Sequence, residues 1–169
     1  ILQRAGVEFG LMREQWCCGG PAAEMGYTDR ARAFAQHNVD DWRAVGARRI
    51  IVFDPHDYIS FTEDYPSYFG DDYDFEIVLL VDLVAELIRD GRLALTNPVE
   101  RTVTYHDPCR LNKRKGVHEA PREILRAIPG LTFKDVDHVT QWSYCSGAGG
   151  GLPIERPDLT AEISRRRVE

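Results

Sequence analysis

Short β-branched runs alternate with stretches of helical period along this chain, and that alternation limits the architectures open to it. Residues 31–45 carry Ala31, Ala35, Asn38, Trp42 and Val45 on one stripe at helical spacing, and Gly46 stops the run. Residues 48–53 follow as a short strand, closed by the turn sequence Asp54-Pro55-His56-Asp57. Residues 58–74 are aromatic and acidic with no clean period, and they read as irregular with room for a short helix. Residues 76–90 give the strongest helix signal, with Ile77, Leu80, Val81, Val84, Leu87 and Ile88 on one face and Gly91 as the stop. A second strand is expected over 102–105, ending in His106-Asp107-Pro108-Cys109. Residues 121–128 predict a short helix with Pro121 in its first turn, and 131–136 a third strand. This order predicts an α/β layered fold with short parallel sheets flanked by helices. Functional groups in such folds gather at the carboxyl ends of strands, where Asp54 and Cys109 stand.

Charge narrows the function classes. The 169 residues include 21 Lys or Arg against 27 Asp or Glu, a net charge of −6, which argues against nucleic acid or an anionic membrane as the main partner. A chain 43% hydrophobic and 28% charged is expected to be soluble and globular. No apolar run approaches the ~18 residues that a transmembrane helix needs. The N-terminus lacks the basic start and apolar stretch of a signal peptide. A cytoplasmic location is therefore expected, with any membrane association made through a partner. The chain starts at Ile1 without an initiator Met, and the run ending in Arg165-Arg166-Arg167-Val168-Glu169 reads as the middle of a helix, so a piece of a longer polypeptide is expected.

The four cysteines, Cys17, Cys18, Cys109 and Cys145, are too few for a secreted disulfide scaffold of this length. Cys17 and Cys18 are adjacent, and adjacent cysteines rarely bridge each other because the ring is strained. Two thiols at one backbone point suit a metal, a cluster or redox chemistry. Cys109 follows Asp107-Pro108, a helix-start signal that puts its sulfur near backbone N–H groups and the positive end of the helix dipole. Cys145 opens the run Ser146-Gly147-Ala148-Gly149-Gly150-Gly151, whose backbone can approach a sulfur or an anion. The alternative for Cys109 and Cys145 is a pair of buried structural thiols. Other chemistry has less support. No Lys-Ser/Thr follows the Gly run, so a Walker motif is absent. A Cys/His hydrolase built from Cys109 or Cys145 with His106 or His138 lacks a nucleophile elbow. His106 reads as a strand-end residue bonded to backbone, the aromatic residues from Tyr58 to Phe75 as core filling, and Arg165-Arg166-Arg167 as a solvated helix face.

Cys17-Cys18-Gly19-Gly20-Pro21 is echoed by Cys145-Ser146-Gly147-Ala148-Gly149 at an offset of 128 positions (17 to 145). The step from Cys18 to Asp54 equals that from Cys109 to Cys145, 36 positions. With His106-Asp107-Pro108-Cys109-Arg110-Leu111 between them, these motifs resemble the cysteine-rich CCG domains of heterodisulfide reductase catalytic subunits and of glycolate and lactate oxidase iron–sulfur subunits. The resemblance covers essentially the whole chain. It implies a pattern of one Cys, a Cys-Cys pair and a Cys-x-x-Cys, occurring twice, with each complete set holding an iron–sulfur cluster of 4Fe-4S type.

On this resemblance the chain is two pseudo-repeated CCG units, residues 1–95 and 96–169. Cys17 and Cys18 match the middle pair of the first repeat, and Asp54 and Asp57 stand where its Cys-x-x-Cys belongs. Cys109 matches the first Cys of the second repeat, and Cys145 with Ser146 its pair. The first Cys of repeat one falls before residue 1, and the last Cys-x-x-Cys of repeat two falls beyond Glu169. Carboxylate and hydroxyl are harder ligands than thiolate, so three readings of Asp54 and Asp57 stay open: ligands of a harder ion, rare cluster ligands, or turn carboxylates. The implied function is an iron–sulfur and thiol redox subunit of a heterodisulfide-reductase-like or glycolate-oxidase-like oxidoreductase. It would exchange electrons with a disulfide or a flavin, alongside flavin- or ferredoxin-type partner subunits that carry the flavin. The alternative is a docking scaffold with lost ligands, holding at most a structural zinc.

Overall fold

The computed structural model describes residues 1–168. Strand β1 (Arg49–Val52) pairs in parallel with β2 (Glu76–Leu79), and β3 (Arg101–Val103) pairs in parallel with β4 (Leu131–Phe133). Ahead of β1 lie α1 (Gly20–Glu24) and α2 (Thr28–Ala44). The β1–β2 crossover carries α3 (Pro55–Ile59) and α4 (Tyr65–Phe69), and α5 (Leu80–Arg89) follows β2 directly. The β3–β4 crossover carries α6 (Cys109–Lys115) and α7 (Glu119–Ala127), and α8 (Leu152–Glu155) and α9 (Pro157–Val168) come last. Parallel pairs need such helical crossovers, so each two-stranded sheet is one βαβ unit. The fold is α/β with short parallel sheets flanked by helices, as the alternation predicts.

The expected helix over 76–90 is corrected in its first turn. Residues Glu76–Leu79 form a strand in register with β1 (Ile50 opposite Ile77, Val52 opposite Leu79), and the helix begins at Leu80. A parallel strand buried on both faces reads as a continuous apolar run, which helical period alone does not separate from the helix behind it. Residues 58–74 are also corrected, from irregular to helical almost throughout. Asp54 caps α3 by accepting from the N–H groups of His56 (2.7 Å) and Asp57 (3.4 Å), a π-helical turn runs Ser60–Asp64, and a 3₁₀ turn at Gly70–Asp72 ends the segment. Asp54 is thus a helix cap rather than part of a free turn. Val45 and Phe53, expected on the helix stripe and in the strand, are exposed caps and strand-end residues instead.

The core sits under β1 and β2. Trp42 of α2 meets Phe61 edge-on at 4.9 Å and Phe75 at 5.2 Å, and Phe61 lies 4.8 Å from the fully buried Tyr65. The aromatic stretch therefore fills the core. A second cluster joins Leu83, Val84 and Leu87 of α5 to Ile124 of α7, and Arg89 pairs with Glu123 at 2.8 Å, so the two βαβ units pack against each other.

Candidate functional site

Cys17 and Cys18 lie in the loop entering α1, and their neighbours are set by the two glycines that follow. Gly19 has φ +84°, and a Cβ there would sit 2.9 Å from the Ala31 carbonyl, so only glycine lets the loop lie this close to α2. Its N–H donates to Cys17 Sγ at 3.5 Å. The buried Asn38 side chain holds the loop from below, donating to the Cys17 carbonyl (3.1 Å) and the Tyr65 hydroxyl (2.9 Å). This leaves Cys17 exposed and turns Cys18 inward, where it is 5% exposed among Ala35, Val39, Trp42 and Tyr65. There the Cys18 thiol faces Asp57 and Ser60. Burial, then the adjacent Asp57 carboxyl, push the thiol up to about 12, so it holds its proton at neutral pH. Burial raises Asp57 in turn.

The second repeat builds the same sulfur setting again. Gly147 has φ +82°, its N–H donates to Cys145 Sγ at 3.3 Å, and a Cβ would press on Ile163 (3.0 Å) and the Thr160 carbonyl (3.1 Å). From α9, Thr160 donates to the Gly147 carbonyl (3.0 Å) and Ser164 to the Ser146 carbonyl (2.7 Å). The sequence echo is therefore a structural one: a Cys, a left-handed Gly two residues on, an N–H aimed back at sulfur, and a helix braced against the turn. Cys145 is exposed, and Ser146 beside it is half-buried. Cys109 is the first residue of α6, as its Asp-Pro lead predicts, and is exposed, so neither of these cysteines is a buried structural thiol.

Between the repeats, Glu24 of α1 pairs with Arg110, the residue after Cys109, and lies 3.6 Å from His56 Nε2. A Cβ on Gly151 would touch Met25 Sδ at 3.8 Å, so the Gly-rich loop of repeat two leans on the end of α1. Two further expectations are corrected. His106 is bonded to a side chain and not to backbone, accepting at Nδ1 from Arg167 Nε (2.8 Å), so Arg167 reaches back from the helix face assigned to solvent. Burial first, and Arg167 beside it, hold the His106 imidazole below its ordinary range. His138 stacks on Tyr144 at 4.5 Å and faces its hydroxyl at 3.2 Å.

Sequence reasoning missed Arg122, which is 2% exposed. Its guanidinium donates to both oxygens of the buried Asp107 (2.8 Å each), to both oxygens of Asp135 (3.1 and 2.9 Å) and to the His118 carbonyl (2.7 Å). Burial pushes the Asp107 carboxyl up, but Arg122 and the Thr140 N–H outweigh it, and the group lies below the usual carboxylate range. Its helix neighbours His118, Glu119 and Arg126 are polar or charged, so the sequence carried no signal that Arg122 is buried.

An iron–sulfur cluster needs several convergent soft ligands. Cys17, Cys109 and Cys145 are open, but Cys18 is closed off by Asp57 and Ser60, and Asp54 spends its carboxylate on a helix cap. Among the described residues no three His, Cys, Asp or Glu side chains are grouped so as to hold a metal ion. By themselves these residues do not fit a cluster.

Paired βαβ units carrying the same cysteine–glycine cradle define a protein built from cysteine-rich repeats. The chain belongs to the CCG cysteine-rich domain family, whose model matches residues 1–61 and again 103–169. It is similar to a subunit of the dihydromethanophenazine:CoB–CoM heterodisulfide reductase of Methanosarcina mazei, at 34% identity over 100% of this chain and 42% of the relative. It is also similar to a Bacillus subtilis protein named "Probable iron-sulfur-binding oxidoreductase FadF" (31% identity, 100% of this chain, 24% of the relative). A third relative is a subunit of the CoM/CoB fumarate reductase of Methanothermobacter marburgensis (31%, 100% and 32%). The chain thus spans less than half the length of these relatives. No solved structure matches it. Among the described residues no helix is long and apolar enough to cross a membrane.

Proposed function

We propose that this chain is the cysteine-rich part of an iron–sulfur and thiol redox subunit in a heterodisulfide-reductase-like or glycolate-oxidase-like oxidoreductase. One observation carries the reading: the N–H···S cradle at Cys17–Gly19 recurs at Cys145–Gly147, with both sulfurs open to solvent. A backbone donor aimed at sulfur suits a sulfur that carries negative charge or ligates a metal. Cys17, Cys109 and Cys145 are the assigned ligating thiols, with the set completed by the rest of the subunit; Ser146 and the carboxylates of Asp54 and Asp57 are not assigned. The cofactor is an iron–sulfur cluster, of the 4Fe-4S type that the family resemblance implies. Electrons pass to or from a disulfide or a flavin held by a flavin- or ferredoxin-type partner, on the cytoplasmic side, with membrane association through that partner. The repeats divide near residues 95 and 96. Anaerobic purification of the full subunit with iron, sulfide and zinc analysis tests this: iron with sulfide is expected, and a colourless, metal-free protein overturns it.

The closure of Cys18 by Asp57 and Ser60 favours a second reading, a docking scaffold that has lost its ligands and holds at most a structural zinc. It predicts that Cys17→Ser and Cys109→Ser leave partner binding and electron flux unchanged. Lost flux with intact folding rejects it.

A further inference from the structure

Arg122 makes five hydrogen bonds while buried, with its planar fork shared between two carboxylates and a carbonyl. A buried ion pair of this kind is weak evidence for stability, because desolvating the charges offsets most of their attraction. What the network joins is more informative. Asp107 stands two residues before Cys109, and Ser143 two residues before Cys145. The fully buried Ser143 hydroxyl donates to the Asp107 carbonyl at 3.2 Å. The buried Asn112 of α6 donates to Ser143 Oγ (3.3 Å) and to the Thr140 carbonyl, and the Thr140 N–H donates to Asp107 Oδ2 at 2.8 Å. The loop tied down in this way holds His138 at φ +59° and Thr140 at φ +55°, left-handed conformations that side chains other than glycine rarely adopt. Such backbone persists only where its surroundings over-determine it. The ties at Thr140 lead to Asp107, on the turn into α6, and to Asn112, within that helix, while His138 stacks on Tyr144.

We infer that Arg122 is a positioning residue: by clamping Asp107, it locks the segments ending in Cys109 and Cys145 together and sets the separation of the two second-repeat thiols. The inference deepens the redox reading above and rests on it for the use made of those thiols, not for their geometry. A residue that served folding alone would change the melting temperature without changing the spacing of two surface cysteines.

The test uses the full subunit made metal-free by anaerobic chelation and carrying Cys17→Ser, in which Cys18 is sealed and nitroxide spin labels go to Cys109 and Cys145; further reactive cysteines outside these residues are replaced by serine. Pulsed dipolar spectroscopy reads the distance between the labels. A single narrow distribution is expected with Arg122 in place, and its loss is expected in Arg122→Lys, whose ammonium cannot bridge two carboxylates. Asp107→Asn serves as the second variant should Arg122→Lys fail to fold, and the same loss is expected. Val39→Ala, a core truncation in α2 of the first unit, is expected to lower the melting temperature and keep the distribution narrow. A narrow, unmoved distribution in folded Arg122→Lys or Asp107→Asn overturns the inference. Iron analysis of the unlabelled wild type is a separate arm: its failure removes the redox reading while the distance result still decides the positioning role.

Discussion

Cys18 differs from the other three cysteines in what surrounds its sulfur. It is buried in the core cluster that holds Trp42 and Tyr65, and its thiol faces the Asp57 carboxyl. A thiol that keeps its proton and is shut away from solvent does not react as a nucleophile. Titration of this chain with an aromatic disulfide at pH 8 is therefore expected to consume Cys17, Cys109 and Cys145 quickly and Cys18 only after denaturant is added. Asp107 makes the opposite electrostatic case. Its folded-state pKa lies below the unfolded value of about 3.9, so its contribution to stability is complete above that pH and is lost as pH falls through the folded value. Urea midpoints measured from pH 6 downward should fall less steeply below pH about 4 in Asp107→Asn than in wild type. Removing Arg122 leaves two buried or half-buried carboxylates without their partner, and Arg122→Ala is expected to cost about 3–5 kcal/mol by the same urea titration. None of this was legible in the sequence. Arg122 meets Asp107 and Asp135 on other segments, and one of two arginines a turn apart in a short helix reads as surface.

At the scale of elements, the two cysteine–glycine turns explain how much the motifs disclosed. Gly19 and Gly147 both need a positive φ and both lie against a helix, so the echo seen as letters is a shared backbone shape. Gly147→Ala is expected to destabilise by about 1–2 kcal/mol through the left-handed strain, with further loss from contact with Ile163 and the Thr160 carbonyl. Gly149→Ala, which would add a methyl to open space, is the control and should leave the melting temperature nearly unchanged. The two misread elements have physical causes. In Glu76–Leu79, burial beside β1 produces an apolar run that a helix would also show. In the segment from Asp54 to Asp72, the π-helical turn at Ser60–Asp64 widens the helix, and aromatic side chains on both sides of it no longer recur at 3.6 residues. By contrast, α6 was legible because Asp107-Pro108 is a local start signal, and α2 because its stripe spans four turns.

The described residues form two βαβ units joined through α5 and α7, with a cysteine motif of each unit near the seam formed by Glu24, His56 and Arg110. Its fold class and the order of its cysteine motifs were legible because both rest on local spacing. The way the motifs face one another was not, since it depends on contacts such as Glu24–Arg110 and Asp107–Ser143 that cross tens of residues. Packing between α5 and α7 is also where the units depend on each other. Leu87→Ala empties a fully buried position under α7, and a loss of about 2–5 kcal/mol in one cooperative thermal transition is expected if the units unfold together. The central claim is that the exposed cysteines, and not the sealed one, hold the redox centre. It is tested most directly by iron and acid-labile sulfide per chain in the anaerobically purified full subunit, compared with Cys145→Ser and Cys18→Ser. The account predicts iron and sulfide in the wild type, their loss in Cys145→Ser, and their retention in folded Cys18→Ser. Iron that survives Cys145→Ser but disappears from folded Cys18→Ser contradicts it.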